Sequence, residues 1–284
     1  MTSPARDGGL EFVSGTGGGS GSRPSADGPD DSIASSIASS AAMAGAAASA
    51  LELPYGDTVP ESMDEEQDRL LVDRYSGWAK SYDEAFRDYS VVTLNEAVRL
   101  LGSPFPRRVL DVACGTGLLI DRLLRTSPDL ECIGVDVSEA MLEQAKSRFG
   151  AHGQRTARKG TSGPNVRLLH GRAEHLPIAN HAVDAVCIAN AFHLVRGQRE
   201  ALAECRRVLV PGGKLVIVDW CRDALPMRLL ALGLALTQRL RRNIVSLKRQ
   251  VATLEAAGFE VEDARRFTAR PLWGLMAIRA RNPI

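Results

Sequence analysis

The run Val109-Leu-Asp-Val-Ala-Cys-Gly-Thr-Gly-Leu-Leu-Ile120 constrains the fold more than any other part of the chain. Four apolar or acidic strand formers lead into Gly115 and Gly117, and a helical pattern follows at once. Glycine lets a backbone turn tightly and approach a ligand closely. The helix that follows directs unpaired N–H groups into the same space. The spacing around this run predicts helices over 66–101, strands over 107–112, 132–135, 165–169, 183–188 and 214–219, and helices over 118–126, 138–149 and 195–210. Helical patterns follow from 226 to 257, then two strands at 259–267 and 272–279. Strands alternating with helices require right-handed crossovers and a mostly parallel sheet. The last two strands are too close for a crossover, so they form an antiparallel hairpin. The expected fold class is α/β, a doubly wound, mostly parallel seven-stranded sheet closed by that hairpin.

The chain has 284 residues, 44% of them hydrophobic, enough for one large domain. Its net charge of +1 hides an asymmetry. Residues 1–68 carry two basic and twelve acidic side chains, a net of −10, so 69–284 carries 33 basic and 22 acidic, a net of +11. The stretch 15–22 is nearly all Gly and Ser, and 32–50 is Ser and Ala. Such segments bury too little apolar surface to offset ordering entropy. The expectation is a low-complexity, disordered tail over 1–63 and one domain over 64–284. Acidic residues in the tail argue against a transit peptide, and no apolar run approaches the ~20 residues of a membrane span. The odd count of five cysteines, with no Cys-x-x-Cys pair, argues against a disulfide framework or zinc and suits a cytoplasmic setting.

Two details narrow the ligand. A dinucleotide fingerprint wants a small residue three positions after its second loop glycine, and here that position is Ile120. Asp136 closes the second strand, where a carboxylate can accept two ribose hydroxyls. A ligand with a ribose and no pyrophosphate fits both. The Gly loop resembles motif I of class I S-adenosylmethionine-dependent methyltransferases, whose fold is Rossmann-like. The resemblance continues through Gly134-Val-Asp-Val-Ser-Glu-Ala-Met141, Gly171-Arg-Ala-Glu-His-Leu-Pro177, Val183-Asp-Ala-Val-Cys-Ile-Ala-Asn190-Ala-Phe-His193 and Arg207-Val-Leu-Val-Pro-Gly-Gly-Lys-Leu-Val216. Upstream, Tyr75-Ser-Gly-Trp-Ala-Lys-Ser-Tyr-Asp83 is similar to the ubiquinone and menaquinone biosynthesis methyltransferases.

The resemblance implies S-adenosyl-L-methionine as cofactor and a role for each matching position. Gly115 and Gly117 face its methionine part, and Asp111 organises the loop and the amino group. Asp136 holds the ribose, Met141 packs on the adenine, and Ala173 and Glu174 lie beside the adenine edge. Asn190 sits near the sulfonium and Tyr82 covers the amino-acid end. Ala113 stands in place of the first glycine of the family loop, and Arg172 in place of an acidic residue that accepts from the adenine amino group.

His193 follows the fourth strand, where an imidazole can take a proton from an attacking hydroxyl or acidic carbon, or can simply pack. The expected partner is a small-molecule methyl acceptor, quinone-like or a lipid aromatic. Asn190-Ala-Phe-His193 lacks the Pro-Pro-aromatic of nucleic-acid amino-methyltransferases, so nucleic acid is not expected, and no residues suggest a metal site. The leucine- and arginine-rich stretch 225–242 fits a domain helix, a substrate lid, or a peripheral membrane-surface helix. The loop 151–164 reads as a surface insertion or a gate. A membrane-associated lipid methyltransferase and a non-catalytic module that keeps the fold stand as alternatives.

Overall fold

The computed structural model describes residues 61–150, 166–223, 227, 244–269 and 273–283, with the backbone alone for 61–68 and 150. Expectations for the tail up to 60, the 151–164 loop and most of 225–242 lie outside the described residues.

Helices α1 (Glu61–Trp78), α2 (Tyr82–Ala85) and α3 (Arg87–Leu101) precede β1 (Arg108–Val112). Then come α4 (Leu118–Thr126), β2 (Glu131–Asp136), α5 (Glu139–Gly150), β3 (Val166–His170) and β4 (Val183–Ala189). A 3-10 turn (Phe192–Leu194) leads to α6 (Gln198–Val208) and β5 (Leu209–Trp220). The chain closes with α7 (Leu247–Ala256), β6 (Glu260–Ala269) and β7 (Trp273–Arg281). The seven strands lie in the order β3-β2-β1-β4-β5-β7-β6, with β7 antiparallel to both its neighbours, β5 and β6, and the other pairs parallel. The chain winds outward from β1 to β3 and then restarts on the other side at β4. The switch point between β1 and β4 leaves the crevice in which such sheets bind ligands.

Both sheet faces are covered, which is why the central strands read as unbroken apolar runs. Leu110, Val112, Val186, Ile188 and Ile217 pack with Leu202 and Val208 of α6 and Leu254 of α7. The alternate residues Val109, Cys132, Ala185, Cys187 and Val216 face Leu100 and Leu101 of α3, Ile120 and Leu123 of α4, and Phe149 of α5. Period-two alternation thus feeds two helical layers. The edge strand β6 carries Glu260, Glu262, Arg265 and Arg266, which suit an edge that must not pair further. No helix among the described residues is long and apolar enough to cross a membrane.

Three expected boundaries are corrected. The helix expected over 195–210 is a 3-10 turn followed by α6, because Val195 is extended and Gly197 precedes the first helical turn. Strand β5 begins at Leu209, five residues before the expected start. Its Pro211-Gly212-Gly213 segment bulges out of register, since Val183 pairs with Leu209 and Ala185 with Lys214. The expected helix over 226–257 does not run through 244–246. Ser246 is extended, and its hydroxyl caps α7 by accepting from the Arg249 N–H.

Gly134, inside β2 and opposite Asp111, lets the whole loop region settle on the sheet. A Cβ there would lie 2.8 Å from Cys114 Sγ and 2.9 Å from Ile120 Cδ1 and Leu168 Cδ2. Gly77 in α1 has nothing within 4 Å of a Cβ. Two glycine-to-alanine changes therefore carry opposite signs. Gly134→Ala is expected to destabilise by about 1–3 kcal/mol through overpacking. Gly77→Ala should stabilise by about 0.5–1 kcal/mol through helix propensity. Urea denaturation of both variants checks the pair.

Candidate functional site

Sheet geometry brings the motif residues to one place. At the end of β1 the backbone enters the left-handed region at Ala113 (φ 57°), Gly115 (φ 53°) and Gly117 (φ 80°). The turn closes with Gly117 N–H donating to the Cys114 carbonyl at 2.9 Å, and Cys114 N–H donates to Val135 at 3.1 Å. The two glycines serve different ends. A Cβ on Gly117 would meet the Phe149 ring at 2.6 Å, so this position lets α4 pack on α5. A Cβ on Gly115 would meet nothing within 4 Å, because Gly115 borders open space.

That space is a cavity of about 150 Å³ over the ends of β1 to β4. Of the residues expected to bind cofactor, Tyr82, Ala113, Gly115, Asp136, Met141, Ala173, Glu174 and Asn190 line it together. Gly117 and Asp111 do not; Gly117 shapes the loop from behind, and Asp111 lies beneath it. Asp136 bridges two loops. Its Oδ2 accepts from Gly115 N–H and its Oδ1 from Ser138 N–H, both at 2.8 Å. Each oxygen keeps a lone pair for a ligand hydroxyl. Burial raises the Asp136 carboxyl above its usual range, and these N–H groups partly offset that.

Asp111 is 2% exposed and its Oδ2 is buried without a hydrogen-bond partner. Burial, then the neighbouring Asp136 charge, hold its carboxyl well above the usual carboxylate range. Its side chain makes no hydrogen bond to the Gly loop among the described residues, so it does not organise that loop directly. Cys114 is likewise held as a neutral thiol by burial and then by Asp111, a space-filler and not a thiolate.

Leu71, Val72 and Tyr75 of α1 join Tyr82 in lining the cavity. Burial, followed by the Asp219 charge, pushes the Tyr75 hydroxyl up to about 12, and burial raises Tyr82 also, so both remain neutral donors. Two sets of contacts pin these helices down. Ser76 Oγ lies 2.9 Å from Ser138 Oγ. Thr116 Oγ1 donates to Asp83 Oδ1 at 2.5 Å, while Arg148 pairs with Asp83 and donates to the Thr116 carbonyl at 2.8 Å. Sequence reasoning missed Thr116, Ser138 and Arg148. The only available signal was the Tyr82-Asp83 pair, which the upstream motif already contained.

Arg172 lines the cavity, with its Nε 3.7 Å from Glu174 Oε2. Glu174 Oε1 also accepts from Gly197 N–H at 3.3 Å. Asn190 ends β4 with φ 62°. Its Nδ2 donates to Thr93 Oγ1 at 2.9 Å, and its Oδ1 is buried with no partner. His193 does not line the cavity. Its Nδ1 lies 2.6 Å from Asp219 Oδ1, and its backbone N–H donates to Asp219 Oδ2 at 2.6 Å. The imidazole stacks on Trp220 with centroids 4.6 Å apart, and Trp220 Nε1 donates to the Tyr89 hydroxyl at 2.8 Å.

Residues 109–213 match the methyltransferase domain family model. Over that stretch the chain is similar to methyltransferase domains. It is 37% identical over 124 residues to a demethylmenaquinone methyltransferase of Thermus thermophilus, covering 44% of this chain and 52% of that one. It is also 37% identical over 124 residues to a malonyl-[acyl-carrier protein] O-methyltransferase of Methylococcus capsulatus, covering 43% and 40%. The chain thus spans about half the length of the curated relatives it matches. A solved SAM-dependent methyltransferase from Aquifex aeolicus shares the fold, with a TM-score of 0.56 at 20% identity, over 72% of this chain and 97% of that one.

The cavity suits the cofactor of this domain class. Asp136, with a lone pair left on each oxygen, lines it as an acceptor, Gly115 leaves open space beside it, and the unpartnered Asp111 oxygen lies buried beneath. The cost of keeping Asp111 buried gives a signed prediction. Its folded carboxyl binds its proton more tightly than the unfolded one, so the stability associated with it is full below about pH 4 and is lost as pH rises. Asp111→Asn should match the parent protein near pH 4 and exceed it by about 1–3 kcal/mol at pH 7. That is a rise in midpoint of about 2–4 °C per kcal/mol. Thermal melts at the two pH values check it.

Proposed function

We propose that this protein transfers the methyl group of S-adenosylmethionine to a small-molecule acceptor, a quinone-like or lipid aromatic carrying an acidic hydroxyl. The observation that carries this reading is the pair of buried carboxylates at the ends of β1 and β2. Asp136 is fixed by two backbone N–H groups with lone pairs to spare, and Asp111 has an acceptor oxygen with no partner. Gly115 and Ala113 receive the amino-acid part of the cofactor, under Tyr82 and above the buried Asp111. Asp136 takes the ribose hydroxyls, and Met141, Ala173 and Glu174 frame the adenine. Asn190 adjoins the sulfur end. Gly117 acts on the loop's shape alone.

The cofactor supplies an electrophilic methyl group. The protein's task is then to align a nucleophile and exclude water, and proximity alone can contribute ~7–11 kcal/mol. In this reading His193, which lies outside the cavity lining, accepts the proton of an acceptor hydroxyl bound beside the cavity. With Nδ1 engaged by Asp219, its Nε2 is the ring nitrogen left to take that proton. The aromatic character of the acceptor is supported by the side chains around the dyad. Trp220 and Trp273 lie 5.0 Å apart, and Tyr89 lies 6.0 Å from Trp273. The names of the two curated relatives point to acceptors as different as a demethylmenaquinone and a malonyl thioester carrier, so the acceptor rests on this local chemistry.

Calorimetric titration with S-adenosylhomocysteine tests the cofactor reading. Binding on the order of micromolar Kd that Asp136→Ala abolishes, with no heat from NADH, is the expected result. A folded protein that fails to bind at millimolar concentration sinks it and favours a non-catalytic module. The acceptor reading is tested with 1,4-naphthohydroquinone, followed by mass spectrometry. His193→Gln should keep S-adenosylhomocysteine binding and lose about 100-fold or more in methyl transfer. Binding without transfer to the quinol by the parent protein removes that acceptor class and leaves the cofactor assignment standing.

A further inference from the structure

Asn190 lines the cofactor cavity with one half of its amide satisfied and the other half not. Its Nδ2 donates to Thr93 Oγ1 at 2.9 Å. Thr93 is fully buried in α3, and its hydroxyl donates back to the Tyr89 and Ser90 carbonyls, each at 3.2 Å. This back-bonding is a common use of a helical threonine hydroxyl, and here it fixes which way the amide faces. In the observed orientation the pair makes a hydroxyl-to-carbonyl bond and an amide-to-hydroxyl bond. With the amide reversed, the single hydroxyl hydrogen must turn to the amide oxygen, and one of the two bonds is lost. Thr93 therefore presents the Asn190 Oδ1 away from itself, where it is buried and unpartnered. A buried acceptor with no donor is costly, and such atoms ask for an explanation in a ligand. The backbone adds a second constraint. Asn190 sits at φ 62°, a region asparagine tolerates better than other side-chain-bearing residues, and its N–H is held by the Val218 carbonyl at 2.8 Å.

The topology places Asn190 on a defined side of the cavity. The residues that frame adenosine lie at the ends of β2 and β3, whereas Asn190 ends β4, across the switch point. A ligand anchored by Asp136 and extending over β1 brings its sulfur end toward β4. We propose that Thr93 is a positioning residue that turns the Asn190 carbonyl oxygen toward the positively charged methyl-bearing sulfur. The pair thereby favours the methylated, cationic form of the cofactor over its neutral demethylated product. This inference rests on the cofactor reading above.

The test needs no acceptor. The full chain is titrated with S-adenosylmethionine and with S-adenosylhomocysteine, and the ratio of the two affinities is the readout. Thr93→Val frees the amide to turn its N–H groups toward the cation. The preference for S-adenosylmethionine should fall about fivefold with S-adenosylhomocysteine binding unchanged. Thr93→Ser should restore it. Asn190→Gly, which removes the carbonyl and suits the left-handed backbone, should lower the ratio as Thr93→Val does. If Thr93→Val fails to fold, the Asn190→Gly and Thr93→Ser variants carry the comparison. An unchanged ratio in Asn190→Gly, with both ligands still bound, overturns the proposal and leaves the cofactor reading intact. A parent protein that binds neither ligand overturns both.

Discussion

One carboxylate joins the parts of this molecule that have to meet. Asp136 ends β2, yet it accepts a backbone N–H from the Gly loop after β1 and another from the turn into α5. Two loops with no covalent tie between them are thereby held at a common point on the crevice. The bridge is possible because Gly134, two residues earlier, carries no side chain. Cys114 and Ile120 can then drop onto the sheet and bring Gly115 within reach. The phosphate-free character of the site follows from the same contact. Ile120 fills the space where close helix approach would serve a pyrophosphate, and a carboxylate occupies the loop N–H that an anionic ligand would otherwise use.

The electrostatics of the crevice follow from this arrangement. Asp111 and Asp136 are both buried; burial raises both carboxyls, and the Asp136 charge raises Asp111 further. The hydroxyls opposite them, on Tyr75 and Tyr82, are driven up chiefly by burial, with the Asp136 charge adding to it, so both stay neutral. Asn190 adds an unpaired carbonyl oxygen. The two buried oxygens left without a partner here, Asp111 Oδ2 and Asn190 Oδ1, are acceptors, the complement of a cationic ligand rich in donors. Arg172 and Arg196 are the cationic members of the lining, and Glu174 lies beside Arg172.

The parts legible in the sequence were those in which local pattern and ligand chemistry coincide. The Gly loop needs a strand before it and a helix after it, so 107–126 could be read almost to the residue, and Asp136 followed from its distance along the chain. The hairpin was legible because too few residues separate its strands for a crossover. Other features depend on contacts distant in sequence. The register slip at Pro211-Gly212-Gly213 is dictated by close approach to the Asp184 and Val210 carbonyls, which no periodicity reports. His193 could be placed at the right edge of the sheet. Its separation from the cavity, its bond to Asp219 and its stacking on Trp220 arise from pairing between β4 and β5. Thr93 and Arg148 sit in ordinary helical patterns, and nothing in either pattern marks them as contacts of the site.

The cavity is consequently built from two kinds of structure. Its floor belongs to the parallel sheet, where Asp136, Ala113 and Asn190 are fixed by strand pairing and a close-packed core. Its roof belongs to α1 and α2, which the sheet does not hold. Ser76 and Asp83, both partly open to water, tie that roof to the floor through the buried Ser138 and Thr116 and the half-buried Arg148. Partly exposed polar pairs each contribute little to stability, whereas the apolar contacts of the floor are part of the global fold. The floor and the roof of the cavity are therefore held by different interactions, close-packed apolar contacts below and a few polar ties at Ser76 and Asp83 above.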